Sequence, residues 1–247
     1  MNFKELGLNK HIQKAIEESH YITPTPVQAE VIPQVLNKKD VVVTAQTGTG
    51  KTAAFALPIL QSLYDKQLAS KKGKKLRALI LTPTRELALQ VEKNIEQYSK
   101  YTVLKTAVIY GGVSIEPQEK ILKKGIDILI ATPGRLLDLI KQEIVALDYV
   151  ETFVLDEADL MLNMGFIDDV LKIHGLTPDD RQTLLFSATI PEKIKELAKT
   201  IAKEPINVSI TPTVLTAQNV KQHLYYTPIA KKMQLMLLLL RNDVKGN

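Results

Sequence analysis

The chain has no cysteine and no tryptophan, and its longest apolar run, the one ending at Leu240, is far short of the roughly 18 residues that suggest a membrane span. Without cysteine there is no disulfide framework, no thiol nucleophile and no thiolate metal site. The four histidines, His11, His20, His174 and His223, are too scattered to make a ligand cluster, so a structural zinc is not expected. No charged-then-apolar opening resembles a signal peptide, and the expected setting is cytoplasmic, with no membrane partner. Charge of either sign is not in large excess: +5 overall and a pI near 9.1 fit a polyanion partner but do not require one.

What is present is alternation. Short β-rich runs at 41–44, 78–82, 106–110, 127–131, 152–156, 183–187 and 206–210 are separated by helical stretches. Most of these runs are apolar throughout, as strands are when both faces of a parallel sheet are covered. The fold class is therefore α/β, a mostly parallel sheet flanked by helices. Leu87, Val91, Ile95 and Tyr98 recur at near-helical spacing, as do Ile194, Leu197, Ala198 and Ile201. Both stripes read as core faces rather than sites. The run Lys71-Lys72-Gly73-Lys74-Lys75 reads as a solvated loop before it reads as a binding patch. Residues 1–207 are expected to form one domain and 208–219 a linker. Residues 220–247 then open a second domain, with a strand at 220–227, a helix start at Thr227-Pro228 and an apolar stripe of Ile229, Met233, Met236, Leu237 and Leu240.

After the first run comes Ala45-Gln46-Thr47-Gly48-Thr49-Gly50-Lys51-Thr52 and then a helical segment, which is the strand–loop–helix setting of a phosphate-binding loop. Gly48 and Gly50 let consecutive N–H groups turn toward one anion, and the helix start adds its positive dipole end. Lys51 would neutralise phosphate and Thr52 would offer a hydroxyl to Mg²⁺. Ala45 stands where the general pattern has its first glycine. At the end of another run, Asp156-Glu157-Ala158-Asp159 supplies carboxylates: Asp156 for the metal, Glu157 to orient or deprotonate an attacking water, with Asp159 alone equally readable as a helix cap.

With these motifs in hand, the chain resembles the DEAD-box RNA helicases from Phe3 to about residue 210, and Tyr110-Gly111-Gly112-Val113-Ser114-Ile115 is similar to the RhlE-type branch. The resemblance implies a RecA-like domain of an ATP-dependent RNA helicase, with ATP and Mg²⁺ as cofactors and a second RecA-like domain completing the enzyme. It casts Lys51, Asp156 and Glu157 as catalytic, Thr52 and Asp156 as metal ligands, and Gln46, Thr47, Gly48, Thr49 and Gly50 as phosphate contacts. Phe3, Tyr21, Thr23 and Gln28 become the adenine-reading Q motif, although His20 stands where the family has glycine. Pro83, Thr84, Arg85, Gly111, Gly112, Thr132, Pro133, Gly134 and Arg135 become contacts to the sugar–phosphate backbone of single-stranded or duplex RNA. Taken singly, each of those segments also reads as a strand-to-helix turn. Ser187 and Thr189, read without the family as a capping pair, become with Asp159 the link between hydrolysis and RNA. A DNA-directed translocase and a binding module without chemistry are the rival readings, and the chain by itself is expected to be nearly inactive.

Overall fold

The computed structural model describes residues 2–69, 75–210 and 223–243, with the backbone alone at 67–69 and 242–243. Lys71 to Lys74, the 211–219 stretch of the expected linker and the start of the expected strand at 220 lie outside these residues.

All seven expected runs before residue 211 form strands: β1 Val41–Thr44, β2 Ala78–Leu81, β3 Thr106–Ile109, β4 Ile128–Ala131, β5 Thr152–Leu155, β6 Gln182–Ser187 and β7 Ile206–Ser209. They make one parallel sheet in the order β3-β4-β2-β5-β6-β1-β7. The apolarity of the central strands has a direct cause. Val43, Ile80, Val154, Leu184 and Phe186 pack on one face, with the helices α1 Lys10–Glu18, α2 Pro26–Leu36, α3 Lys51–Ala69 and α4 Arg85–Tyr98. Their neighbours Val42, Leu79, Leu81, Phe153, Leu155 and Leu185 point to the other face. There they meet α6 Pro133–Lys141, α7 Ala158–Asn163, α8 Ile167–His174 and α9 Glu192–Ile201, while the short α5 Glu116–Leu122 lies beside β3. Each such side chain removed from water stabilises the fold by about 1.5–3 kcal/mol, so a strand apolar on both faces gains twice what a half-exposed strand does.

Contacts divide the chain into residues 1–211 and 212–247. Within the second unit, Pro228 caps a short 3-10 turn, Ile229–Lys231, which leads into α10 Lys232–Asp243. The helix therefore starts later than Thr227-Pro228 suggests, because the extended ψ of 144° at Pro228 keeps that residue outside the first turn. Residues 223–227 form no strand, and a lone extended segment is not stable as one in water.

Candidate functional site

In a parallel sheet, ligands gather at the carboxyl edge of the strands. Here β6 lies between β1 and β5, so the segments that follow these three strands are brought together by the hydrogen-bond ladder alone: the Gly48–Gly50 loop, Ser187, and Asp156-Glu157. Ala45 continues the ladder by donating its N–H to the Ser187 carbonyl at 3.0 Å. It is buried and extends the strand, which explains why alanine serves where the general pattern has glycine.

Glycine is required two steps later. Gly48 and Gly50 take φ of +78° and +91°, and a Cβ at Gly50 would fall 2.3 Å from the Gln28 amide nitrogen. Around Gly48 the space that a Cβ would enter is open, as a cradle for an anion must be. Thr49 closes the turn by donating its hydroxyl to the Gln46 carbonyl at 2.7 Å. The loop then enters α3, and Thr47, Gly48, Gly50, Lys51 and Thr52 line a cleft of about 260 Å³ with Asp156 and Glu157.

Lys51 is buried, with its ammonium 2.9 Å from Glu157 Oε1 as an ion pair and, among the described residues, no partner in hydrogen-bond geometry. Glu157 is itself held at φ +55° and ψ +52°, a left-handed conformation costly for a residue with a Cβ. That turn swings its carboxylate out of the β5 direction and toward the loop. Asp156 is buried beside it, and burial together with the Glu157 charge pushes its carboxyl up to about 7, against the opposing pull of Lys51. Asp159 faces the other way. It receives the Thr189 N–H and hydroxyl, both at 2.9 Å, while its own N–H donates to Ser187 Oγ at 3.2 Å. Burial alone would raise its carboxyl, but these hydrogen bonds outweigh that and hold it below the usual range. Thus Asp159 is no simple cap: it ties the helix after β5 to the segment after β6.

Gln28 lies in the first turn of α2, where it and Thr25 exchange capping hydrogen bonds. Its amide oxygen accepts from Thr25 N–H at 3.0 Å and its nitrogen donates to the Gly50 carbonyl at 3.2 Å, which spends one acceptor site and one donor within the protein. His20 adopts φ +58°, a left-handed conformation held at some strain by a residue with a Cβ. Phe3 and Tyr21 stack with centroids 6.4 Å apart and line a second cleft of about 400 Å³. Tyr21 borders both clefts. Thr23 is exposed and borders neither.

The remaining expected contacts follow β2, β4 and β3, the other half of the sheet. Thr84 and Thr132 are the N-caps of α4 and α6. The Thr84 hydroxyl is already engaged by Leu87 N–H, whereas the Thr132 side chain makes no capping bond. Pro83 and Pro133 are buried. Gly111, Gly112 and Gly134 are exposed, with open space where a Cβ would stand. Arg85 stacks over the Tyr110 ring, 4.9 Å from its centre, and Arg135 donates to the Val113 carbonyl at 2.8 Å. Three turns from three strands are thereby joined into one surface. A second Arg135 nitrogen is buried without a partner.

One correction concerns α4. Its stripe is not only core: Leu87, Val91 and Tyr98, with the polar Gln90 and Asn94 between them, wall the cleft that holds Lys51 and Glu157. Two polar residues four apart within an apolar stripe were the available signal.

Comparison with known proteins places this geometry. The profile of the DEAD/DEAH box helicases matches residues 25–197. The DEAD-box ATP-dependent RNA helicase RhpA of Helicobacter pylori is 43% identical over 239 residues, covering 97% of this chain and 47% of the relative. The ATP-dependent RNA helicase CshA of Limosilactobacillus reuteri is 45% identical over 240 residues, with the same coverage of 97% and 47%. RhlB of Shewanella woodyi, also an ATP-dependent RNA helicase, is 42% identical over 98% of this chain and 55% of its own. With three differently named relatives this close in identity, similarity does not single out the RhlE-type branch. The crystal structure of a DEAD box protein from Methanococcus jannaschii is similar at a TM-score of 0.80 and 41% identity, over 99% of this chain and 64% of that one. The chain spans about half the length of the curated relatives it matches.

Proposed function

The chain belongs to the DEAD/DEAH box helicase family, and from that premise we propose that it is the ATP- and RNA-binding half of an ATP-dependent RNA helicase that works in the cytoplasm. Residues 1–207 would be its first RecA-like domain, 208–219 a linker and 220–247 the opening of a second domain. The observation that carries the nucleotide reading is Lys51, whose buried ammonium lies at a glycine-opened cleft without an aligned acceptor.

The residues fit ATP with Mg²⁺. Among the described residues no three His, Cys, Asp or Glu side chains gather as a cage for a metal. Mg²⁺ does not need one, since it is commonly held by one or two carboxylates, substrate phosphates and water. Thr52 and Asp156 would hold it, and its chemistry is to neutralise charge building on the phosphates. Gly48, Gly50 and the start of α3 orient the phosphates through their N–H groups, with Thr47, Gln46 and Thr49 shaping the loop. Lys51 balances phosphate charge, leaving Glu157 to orient a water and take its proton. Gln28 retains one amide donor and one acceptor site for adenine, with Tyr21 and Phe3 as the aromatic wall. Asp159, Ser187 and Thr189 relay the state of the site toward the surface built from Pro83–Arg85, Gly111–Gly112 and Thr132–Arg135, where RNA would be gripped by its backbone without regard to sequence.

The test compares RNA-stimulated ATP hydrolysis and strand separation by this chain and by a longer version carrying the second domain. The chain alone should bind ADP yet hydrolyse ATP close to background, because arginine fingers supplied by a second domain contribute about 10³–10⁵ in rate. Stimulation of the longer enzyme by DNA as strongly as by RNA would favour a DNA translocase instead.

A further inference from the structure

Tyr98 ends α4 with its ring almost wholly buried, 1% exposed, in the core beside Val91 and Ile95. Its hydroxyl lies 3.1 Å from that of Tyr21, and the two rings are tilted by 54° with centroids 6.1 Å apart. The partners are unequal in freedom. Tyr21 is 38% exposed and follows the left-handed turn at His20. Its ring touches Phe3 on one side and borders both clefts, the phosphate-side cleft with Lys51 and Thr52 and the neighbouring one with Phe3 and Ile22.

A hydrogen bond between a fixed group and a movable one orients the movable one. Tyr98 is the fixed group, since the end of α4 is fastened to the end of α1 by three further bonds: Gln97 to Ser19 at 2.7 Å, Lys100 to Glu18 at 2.6 Å, and Tyr101 to Glu18. The Tyr21 backbone is tied to the same place through its N–H to the Ile16 carbonyl at 3.1 Å. What stays free is rotation of the Tyr21 ring, and the Tyr98 hydroxyl is the polar group that restrains its tip. Burial, and next the Tyr21 hydroxyl, hold the Tyr98 phenol well above its usual pKa, so it stays a neutral hydroxyl able to share this bond.

We propose that Tyr98 is a positioning residue for nucleotide recognition: through its hydroxyl bond to Tyr21 it fixes the aromatic wall between the two clefts in the orientation that receives the base. The inference rests on the ATP reading above and deepens it. The gain is pre-organisation, since a ring already held in the receiving orientation does not have to be ordered when the ligand arrives.

The test titrates Mg²⁺-ADP and Mg²⁺-pyrophosphate into the 247-residue chain and its Tyr21→Phe, Tyr98→Phe, double and Tyr101→Phe variants. Phenylalanine keeps each ring and deletes only the hydroxyl. Losing one neutral hydrogen bond should weaken ADP about threefold to tenfold in either single variant. The double variant should be no weaker than the singles, because the two changes remove the same bond. Pyrophosphate, which has no base, should bind all variants alike. Tyr101→Phe, which loosens the same helix end away from the clefts, should leave ADP affinity unaltered. Normal ADP affinity in Tyr98→Phe, additive losses in the double variant, an equal loss for pyrophosphate, or an equal loss in Tyr101→Phe would each overturn the positioning role. Failure of the unaltered chain to bind ADP at all would instead remove the nucleotide reading, and the inference with it.

Discussion

Lys51 and Glu157 meet at 2.9 Å in the cleft they both line, one from the first turn of α3 and one from a left-handed turn after β5. An anion that took the Lys51 ammonium as its partner would have to compete with the Glu157 carboxylate.

Replacing Glu157 by Gln removes that competition and leaves Asp156 in place. ADP affinity of the chain should be retained or rise. In a version with the second domain, turnover should fall at least about 100-fold, the lower end of what a positioned general base contributes. Calorimetry gives the first quantity and a phosphate-release assay the second; hydrolysis at the normal rate by Glu157→Gln would end the assigned role.

Gly50 and Gly48 should respond differently to alanine. Both changes place a Cβ on a positive φ, at a cost of about 1–2 kcal/mol. Only at Gly50 does the new methyl also meet the Gln28 amide. Urea unfolding should therefore show Gly50→Ala as the less stable variant, while both weaken ADP binding. Equal stabilities would mean that Gln28 yields without cost.

Gln28→Ala removes a helix cap, a bond to the loop and the proposed adenine reader in one step. Stability should drop by about 0.5–2 kcal/mol, as for other lost caps. The preference for ADP over GDP should shrink about tenfold or more, since a bidentate base contact discriminates by roughly 1–3 kcal/mol. Equal ADP and GDP affinities in the unaltered chain would dismiss Gln28 as a base reader while leaving its structural bonds intact.

Glu92, half-buried on α4, has its carboxyl raised to about 7, first by burial and then by the charge of Glu96. The folded chain therefore holds a proton there that the unfolded chain has already released, and stability falls as pH climbs from the ordinary carboxylate range to about 7. Above that the penalty is constant. Glu92→Gln should stabilise the chain by about 1 kcal/mol at pH 8, after discounting for solvent screening of a half-exposed group, and by almost nothing near pH 4. Thermal unfolding of both proteins across this range is the check, and a difference independent of pH would contradict it.

The central strands were legible because burial on both faces writes itself as nearly uninterrupted apolar sequence, and the strand–turn–helix at 41–52 because its glycines and Lys51 have few other reasons to occur at that spacing. Strand order was not legible: nothing local in 41–44 says that its neighbours are 182–187 and 206–209. The second use of Gln28 and the hydroxyl bond of Tyr98 were hidden for the same reason, being contacts between segments far apart in sequence. The described part of the expected strand, 223–227, shows the opposite limit. Its composition is β-like, yet strand formation also requires a partner, which composition does not report.

The strand order also sets a timetable. β1 bonds only to β6 and β7, and Asp40 at its foot accepts the Thr183 N–H from 143 residues further along the chain. On a ribosome, the segment that carries the phosphate loop would emerge first and wait on the order of ten seconds for the strand that completes it. During that wait Val41, Val42 and Val43 form an apolar segment without its sheet neighbours, open to chaperones and to neighbouring chains. The cleft lined by Lys51, Asp156 and Glu157 likewise does not exist until those carboxylates have arrived and β6 has joined them to β1.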